Sequence, residues 1–181
     1  RYLVVNCFRH YSKNRTALKV GFRLNGVSDY AWEDFSVKLT KEDTDYIQKA
    51  FNIYIKPIRY SSVIEAVQKA IDLNDNKLLK NSVQFYDYSK RIDRNFSKIK
   101  ALNYHITLSH GSKEDTLSKA LELGLNYAAA FNLKKSQSLP TTFKYRGKSY
   151  NVIDGDITDA RFTDDNKTTN IVGLHFKIVV N

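Results

Sequence analysis

Two aspartates one residue apart, Asp154 and Asp156, close an apolar run (Tyr150–Asp154) and open an acidic stretch that also holds Asp159, Asp164 and Asp165. Within Asn151–Asp165 only Arg161 offsets these five carboxylates. In an extended strand residues i and i+2 share a face, so a D-x-D pair can present two carboxylates to a hard divalent ion such as Mg²⁺ or Mn²⁺. Crowded carboxylates also repel one another and shift their titration, which makes Asp154, Asp156 and Asp159 candidates for catalytic work. Two plainer readings stay open. Asp-Gly-Asp is also a turn sequence whose side chains cap backbone amides, and the aspartates could pair with cations such as Arg23 or Lys90.

Other polar residues gather where apolar runs end. His105, inside Tyr104–Ser109, is either a satisfied core histidine or a general acid or base. Ser109-His110-Gly111-Ser112 leads into a helix, so free amides there could hold an anion, although ordinary capping explains the same residues. Ser109 and His110 are sequence neighbours, which does not make them a nucleophile and its base. Tyr86, Tyr88 and Lys90 alternate with Asp87 and Ser89, a pattern suited to stacking on bases and holding phosphate, or simply to packing in a strand. Arg23, Asn25 and Asp29 follow another run, with a strong turn signal at Asn25-Gly26. Arg23, Asn25, Asp29, Asp87, Lys90, Ser109, His110, Ser112 and Arg161 form the candidate ligand-binding set.

These residues need elements to position them. Strand-like apolar runs occur at Ala17–Leu24, Val83–Tyr88, Tyr104–Ser109, Asn126–Phe131, Tyr150–Asp154 and Asn170–Phe176. From the second onward their spacing suits a strand, a helix and two short loops. Thr40 with Asp43 predicts a capped helix over Lys41–Phe51. Ser62–Leu73 carries Val63, Ala66, Val67, Ala70 and Ile71 at helical spacing. Ser112 with Asp115 predicts a helix start, and Gly124 its C-terminal glycine. The expected class is α/β: a mainly parallel sheet of about six strands with covering helices, as an open sheet or an incomplete (β/α) barrel. One domain over residues 1–181 is expected, with a helical insertion around 36–80. In such folds ligands collect beyond the carboxyl ends of the strands, where the candidates fall.

The order of these motifs resembles an uncharacterised family of bacteriophage proteins. Its members carry an "RLNG-S-D" strand end, "FYDYTK", "YHLTFS", a "G-NVAVVF" strand, and "VIDGD--D-RFLD" followed by "VGL-AKG". Here they stand as Arg23–Asp29, Phe85–Lys90 with Ser89 in place of threonine, Tyr104–Ser109, Gly124–Phe131, Val152–Asp164 and Val172–Lys177. The resemblance implies a barrel-like α/β body and joins Asp154, Asp156, Asp159, Arg161 and Asp164 into one motif. It also implies a cysteine-rich N-terminal segment resembling a radical-SAM or zinc-type cluster. This chain departs from that, having Cys7 alone, and it departs again at His110-Gly111, where the family has arginine and serine.

Composition bounds the function. The 181 residues are 42% hydrophobic and carry a formal net charge of +10, enough to bury a core and to favour a polyanionic partner such as nucleic acid or nucleotides. Seven cations between Lys77 and Lys100 face only Asp87 and Asp93 there; they form either a binding face or a solvated helix face. No apolar window is long enough to span a membrane. One cysteine excludes an internal disulfide or an iron–sulfur cluster built within this chain, and suits the cytoplasm of a phage-infected host. The lack of a methionine at position 1 suggests a processed or truncated start. Two functions follow. One is a protein acting on or binding nucleic acid or nucleotides through strand-end carboxylates and cations, with Mg²⁺ or Mn²⁺ as a possible cofactor. The other is a non-catalytic phage structural or interaction protein that uses its basic face to bind nucleic acid or a protein partner.

Overall fold

The structure, a computed structural model, describes residues 1–13, 20–74, 83–111, 115–164 and 168–176. The chain divides into two compact units, Arg1–Tyr86 with Arg94–His105, and Asp87–Asp93 with Ile106–Asn181.

In the first unit the chain runs through α1 (Tyr2–Lys13), β1 (Val20–Arg23), a 3₁₀ turn at Trp32–Asp34, β2 (Val37–Lys38), α2 (Lys41–Phe51), β3 (Arg59–Tyr60) and α3 (Val63–Leu73). The start of β4 (Val83–Ser89), all of α4 (Phe96–Ala101) and the start of β5 (Tyr104–Ser109) complete it. α1 buries Val4, Cys7, Phe8 and Tyr11, the i, i+3, i+4, i+7 stripe of an amphipathic helix, and packs on α2 and α3. Burial pushes the Cys7 thiol up to about 12, leaving it an inert packing group. The expected capping box starts α2: the Thr40 hydroxyl accepts from the Asp43 amide while Asp43 accepts from the Thr40 amide. Asn52 then ends the helix in the left-handed conformation, φ 56°. α3 buries Val63, Ile64, Ala66, Val67, Ala70 and Ile71.

The second unit adds α5 (Thr116–Leu123), β6 (Tyr127–Phe131), β7 (Thr142–Tyr145), β8 (Lys148–Asp154), a 3₁₀ turn at Arg161–Thr163 and β9 (Ile171–His175). Its core comprises Ile106, Leu108, Ala120, Tyr127, Ala128, Ile171 and Val172. Asp115 caps α5, accepting from the Ser118 amide, and Gly124 ends it at φ 68°. Ser112, the other residue expected at that start, lies outside the described residues.

The main sheet has the order β1-β4-β5-β6-β9-β8-β7. The pairs β1–β4, β5–β6, β6–β9 and β8–β9 are parallel; β7–β8 is an antiparallel hairpin. The sheet is open and mainly parallel, so the incomplete-barrel alternative falls. All six expected strands are present. The seventh, β7, was missed because its turn is Arg146-Gly147 rather than Asn-Gly or Asp-Gly; both residues have positive φ, 48° and 77°, as a two-residue hairpin turn requires. A separate ribbon pairs β2 with β3. Among the described residues no helix is long and apolar enough to cross a membrane.

Candidate functional site

The strand order marks a place in the second unit. β9, last in sequence, lies between β6 and β8, and strand-order switches of this kind open crevices at carboxyl ends. Asp154 closes β8 and His175 closes β9. Together with the segment from Lys135 to Thr141 they line a hollow of about 410 Å³, a volume suited to a small ligand.

Past Asp154 the two strands approach closely. The Gly155 amide donates to the Gly173 carbonyl at 2.8 Å, carrying the β8–β9 ladder past Asp154. A Cβ on Gly155 would lie 2.6 Å from Val172 Cγ1 and 2.7 Å from Leu174 Cδ2, so the motif needs glycine there. Asp154 Oδ1 accepts from the Asp156 amide at 2.9 Å, the turn geometry that Asp-Gly-Asp allowed. Asp156 Oδ2 instead accepts from the His175 amide at 3.0 Å and lies 2.8 Å from His175 Nδ1. On the other side of the ring, Nε2 is 2.8 Å from the Gln137 carbonyl oxygen. Both ring nitrogens thus face acceptors, an arrangement that only the protonated imidazole satisfies on both sides. The Gln137 carbonyl first, and then Asp156, hold its pKa above the usual histidine value, against the opposing effect of desolvation.

The rest of the described acidic motif gathers around Arg161. Arg161 is buried; its Nη2 donates to the Thr158 carbonyl and its Nη1 lies 3.4 Å from Asp164 Oδ2. Burial raises the Asp164 carboxyl above the ordinary range, and Arg161 partly offsets this. Asp159 is exposed, and its carbonyl accepts from the Arg161 amide at 2.9 Å. Asp165 lies outside the described residues. Among the described residues no three His, Cys, Asp or Glu side chains are grouped to hold a metal ion.

Ser109 and Lys90 also belong to the second unit, at the ends of β5 and β4. The Ser109 hydroxyl donates to the Ser89 carbonyl at 3.4 Å, and Lys90 and His110 are exposed. Gly111 is buried against the Lys90 carbonyl, 3.2 Å from where its Cβ would be. Asp87 and Ser89 are buried within β4.

In the first unit the motif Arg23–Asp29 builds a loop. Asn25 is buried and binds the loop to itself. Its Oδ1 accepts from the Ser28 hydroxyl at 2.9 Å, the Tyr30 amide at 3.1 Å and Trp32 Nε1 at 2.8 Å. Its Nδ2 donates to the Tyr30 carbonyl at 3.1 Å, while Arg23 Nε donates to the Asn25 carbonyl at 3.0 Å. Beneath the loop, Glu33 and Arg94 form a fully buried bidentate pair at 3.0 and 2.5 Å. Asp29 lies 4.0 Å from Arg94 Nη1, and the guanidinium sits 5.3 Å from the Tyr104 ring centroid. Burial pulls the Arg94 pKa down, but Glu33 and Tyr104 together outweigh that and raise it. His105 is half-buried in β5.

Two features were missed in the sequence. His175 was read only as part of a strand, and its partner Asp156 is 19 residues away. Arg94 was counted in the basic run, but it is buried against Glu33, 61 residues distant. Of the other described cations in that run, Arg91 holds Asp93 at 2.8 Å on both oxygens and Lys98 lies 3.2 Å from Asp34; Lys77 and Lys80 lie outside the described residues.

The family model described as Gene product 88 matches residues 3–177 of the chain. No curated protein and no solved structure matches it.

Proposed function

Because the chain belongs to the Gene product 88 family, and its acidic motif starts at a strand-end hollow lined by Val152 and Asp154, we propose that this phage-type protein binds a nucleotide or nucleic-acid terminus there. The observation that carries the reading is the hollow at the ends of β8 and β9, whose lining combines Lys135, Ser136 and Ser138 with Leu139, Pro140 and Val152. An ammonium and hydroxyls suit phosphate, and apolar side chains suit a base. The imidazolium clamp between Asp156 and the Gln137 carbonyl fixes the segment that supplies these groups. Binding is favoured over acid–base turnover because Asp156 is engaged by His175 and Asp154 caps the turn. A Mg²⁺ or Mn²⁺ ion carried in on the ligand's phosphates would meet Asp154 as the hollow's carboxylate.

Calorimetric titration with nucleoside triphosphates, with and without Mg²⁺, tests this. Saturable binding that Lys135→Ala weakens about tenfold or more is expected, since a hydrogen bond to a charged group contributes about 1.5–3 kcal/mol. Absence of binding at low salt, or an unchanged affinity in the variant, rules the hollow out.

A further inference from the structure

The β2–β3 ribbon carries a pairing that costs stability unless something offsets it. Lys38 stands directly opposite Arg59 in the register, and both are exposed, while Val37 and Tyr60 are buried. Like charges directly across an antiparallel pair are destabilising. Lys56 is exposed close by in sequence, and neither Phe35–Thr40 nor Asn52–Ser62 contains a carboxylate. Among the described residues none of these three cations has an ion-pair partner. Arg59 is nonetheless aimed, its Nη1 donating to the Ser36 hydroxyl at 3.0 Å.

Next to Ser36 lies an aromatic group that water should disfavour. Tyr30 is 55% and Phe35 48% exposed. With Trp32 they form a mutually contacting trio, centroids 5.4 to 6.1 Å apart. The trio is held from beneath by the buried Asn25 network, which takes Trp32 Nε1, and by Glu33 locked on Arg94. Exposed aromatics fixed by a buried polar framework are pre-organised for contact.

We propose that this surface of the first unit binds single-stranded nucleic acid, with phosphates across Lys38 and Arg59 and bases stacked on Tyr30 and Phe35. Cations without acids specify a polyanion; exposed rings specify one whose bases are unpaired. An acidic polypeptide would satisfy the cations and leave the rings uncovered. The proposal is independent of the hollow in the second unit.

The test uses the full chain and a labelled oligothymidine at low salt, followed by anisotropy. Trp32 is the only tryptophan, so its emission reports directly on the trio. Expected are binding with altered Trp32 emission, a loss of about tenfold or more in Tyr30→Ala or Phe35→Ala, and a larger loss in the charge reversal Lys38→Glu with Arg59→Glu. These positions are exposed, and circular dichroism of each variant verifies folding. Lys135→Ala, in the hollow, should leave this affinity unchanged. Equal binding of duplex DNA, equally strong competition by poly-glutamate, or full affinity in the aromatic variants would overturn the assignment.

Discussion

At the scale of single residues, His175 and Glu33 carry the most checkable energetics. The His175 imidazolium is stabilised in the fold, so its pKa lies above the ordinary 6.5. A group whose folded pKa is raised stabilises fully below its unfolded value and loses that contribution as pH rises through the folded one. The thermal midpoint should therefore fall as pH goes from about 6 to about 8, and His175→Gln should flatten that dependence. A profile identical in the variant would show that the clamp carries no such linkage. Glu33→Gln leaves the Arg94 guanidinium buried with only the distant Asp29, at 4.0 Å, as counter-charge, at an expected cost of about 3 kcal/mol by denaturant titration. Replacing both partners by apolar residues should recover much of that loss, because no uncompensated charge then stays inside.

Elements convert such contacts into architecture. β8 and β9 meet where Gly155 leaves no room for a methyl group, so Gly155→Ala should destabilise by about 1–3 kcal/mol through overpacking. The hairpin β7–β8 turns on Arg146, a non-glycine residue at φ 48°. Arg146→Gly relieves that conformation and should stabilise by a few tenths to about 1 kcal/mol. Arg146 gives up an exposed 3.4 Å contact with Asp115 and its place over the Tyr145 ring, 5.2 Å from the centroid. Asp115 itself joins helix to hairpin: it caps α5 and accepts from Tyr145 Oη at 2.9 Å. The Ser118 hydroxyl and amide, then Tyr145, lower its pKa to about 2. Its contribution is thus present above the ordinary carboxylate range and is lost as pH falls through that lowered value. Tyr145→Phe should raise the Asp115 pKa, as carboxyl NMR titration would measure.

Over the whole molecule the charge of +10 is a poor guide until each cation is placed. Arg91, Arg94 and Lys98 are matched by Asp93, Glu33 and Asp34, whereas Lys38, Lys56 and Arg59 have no such partners among the described residues. Oligonucleotide affinity should therefore fall with salt at a log–log slope of roughly −2, the value for about three phosphate contacts on a single strand. A much steeper slope would mean that the remaining lysines take part.

What could be read directly from the sequence was local. The six strands, the Thr40–Asp43 capping box, the helix over Ser62–Leu73 and the glycine ending α5 follow from side-chain periodicity and from bonds between residues a few positions apart. The Asp-Gly-Asp segment was likewise recognisable as a turn. The α1 stripe was equally local but went unread, and the Arg-Gly hairpin lacked the usual turn residues. Tertiary structure alone decided which charges are spent. Nothing at short spacing joins Glu33 to Arg94 or Asp156 to His175, because those pairs exist only once the sheet order β6-β9-β8 and the packing of the first unit bring distant segments together. The acidic motif is visible as composition; its division into a turn cap, an imidazolium clamp and a buried ion pair depends on burial and distance, which a linear chain does not possess.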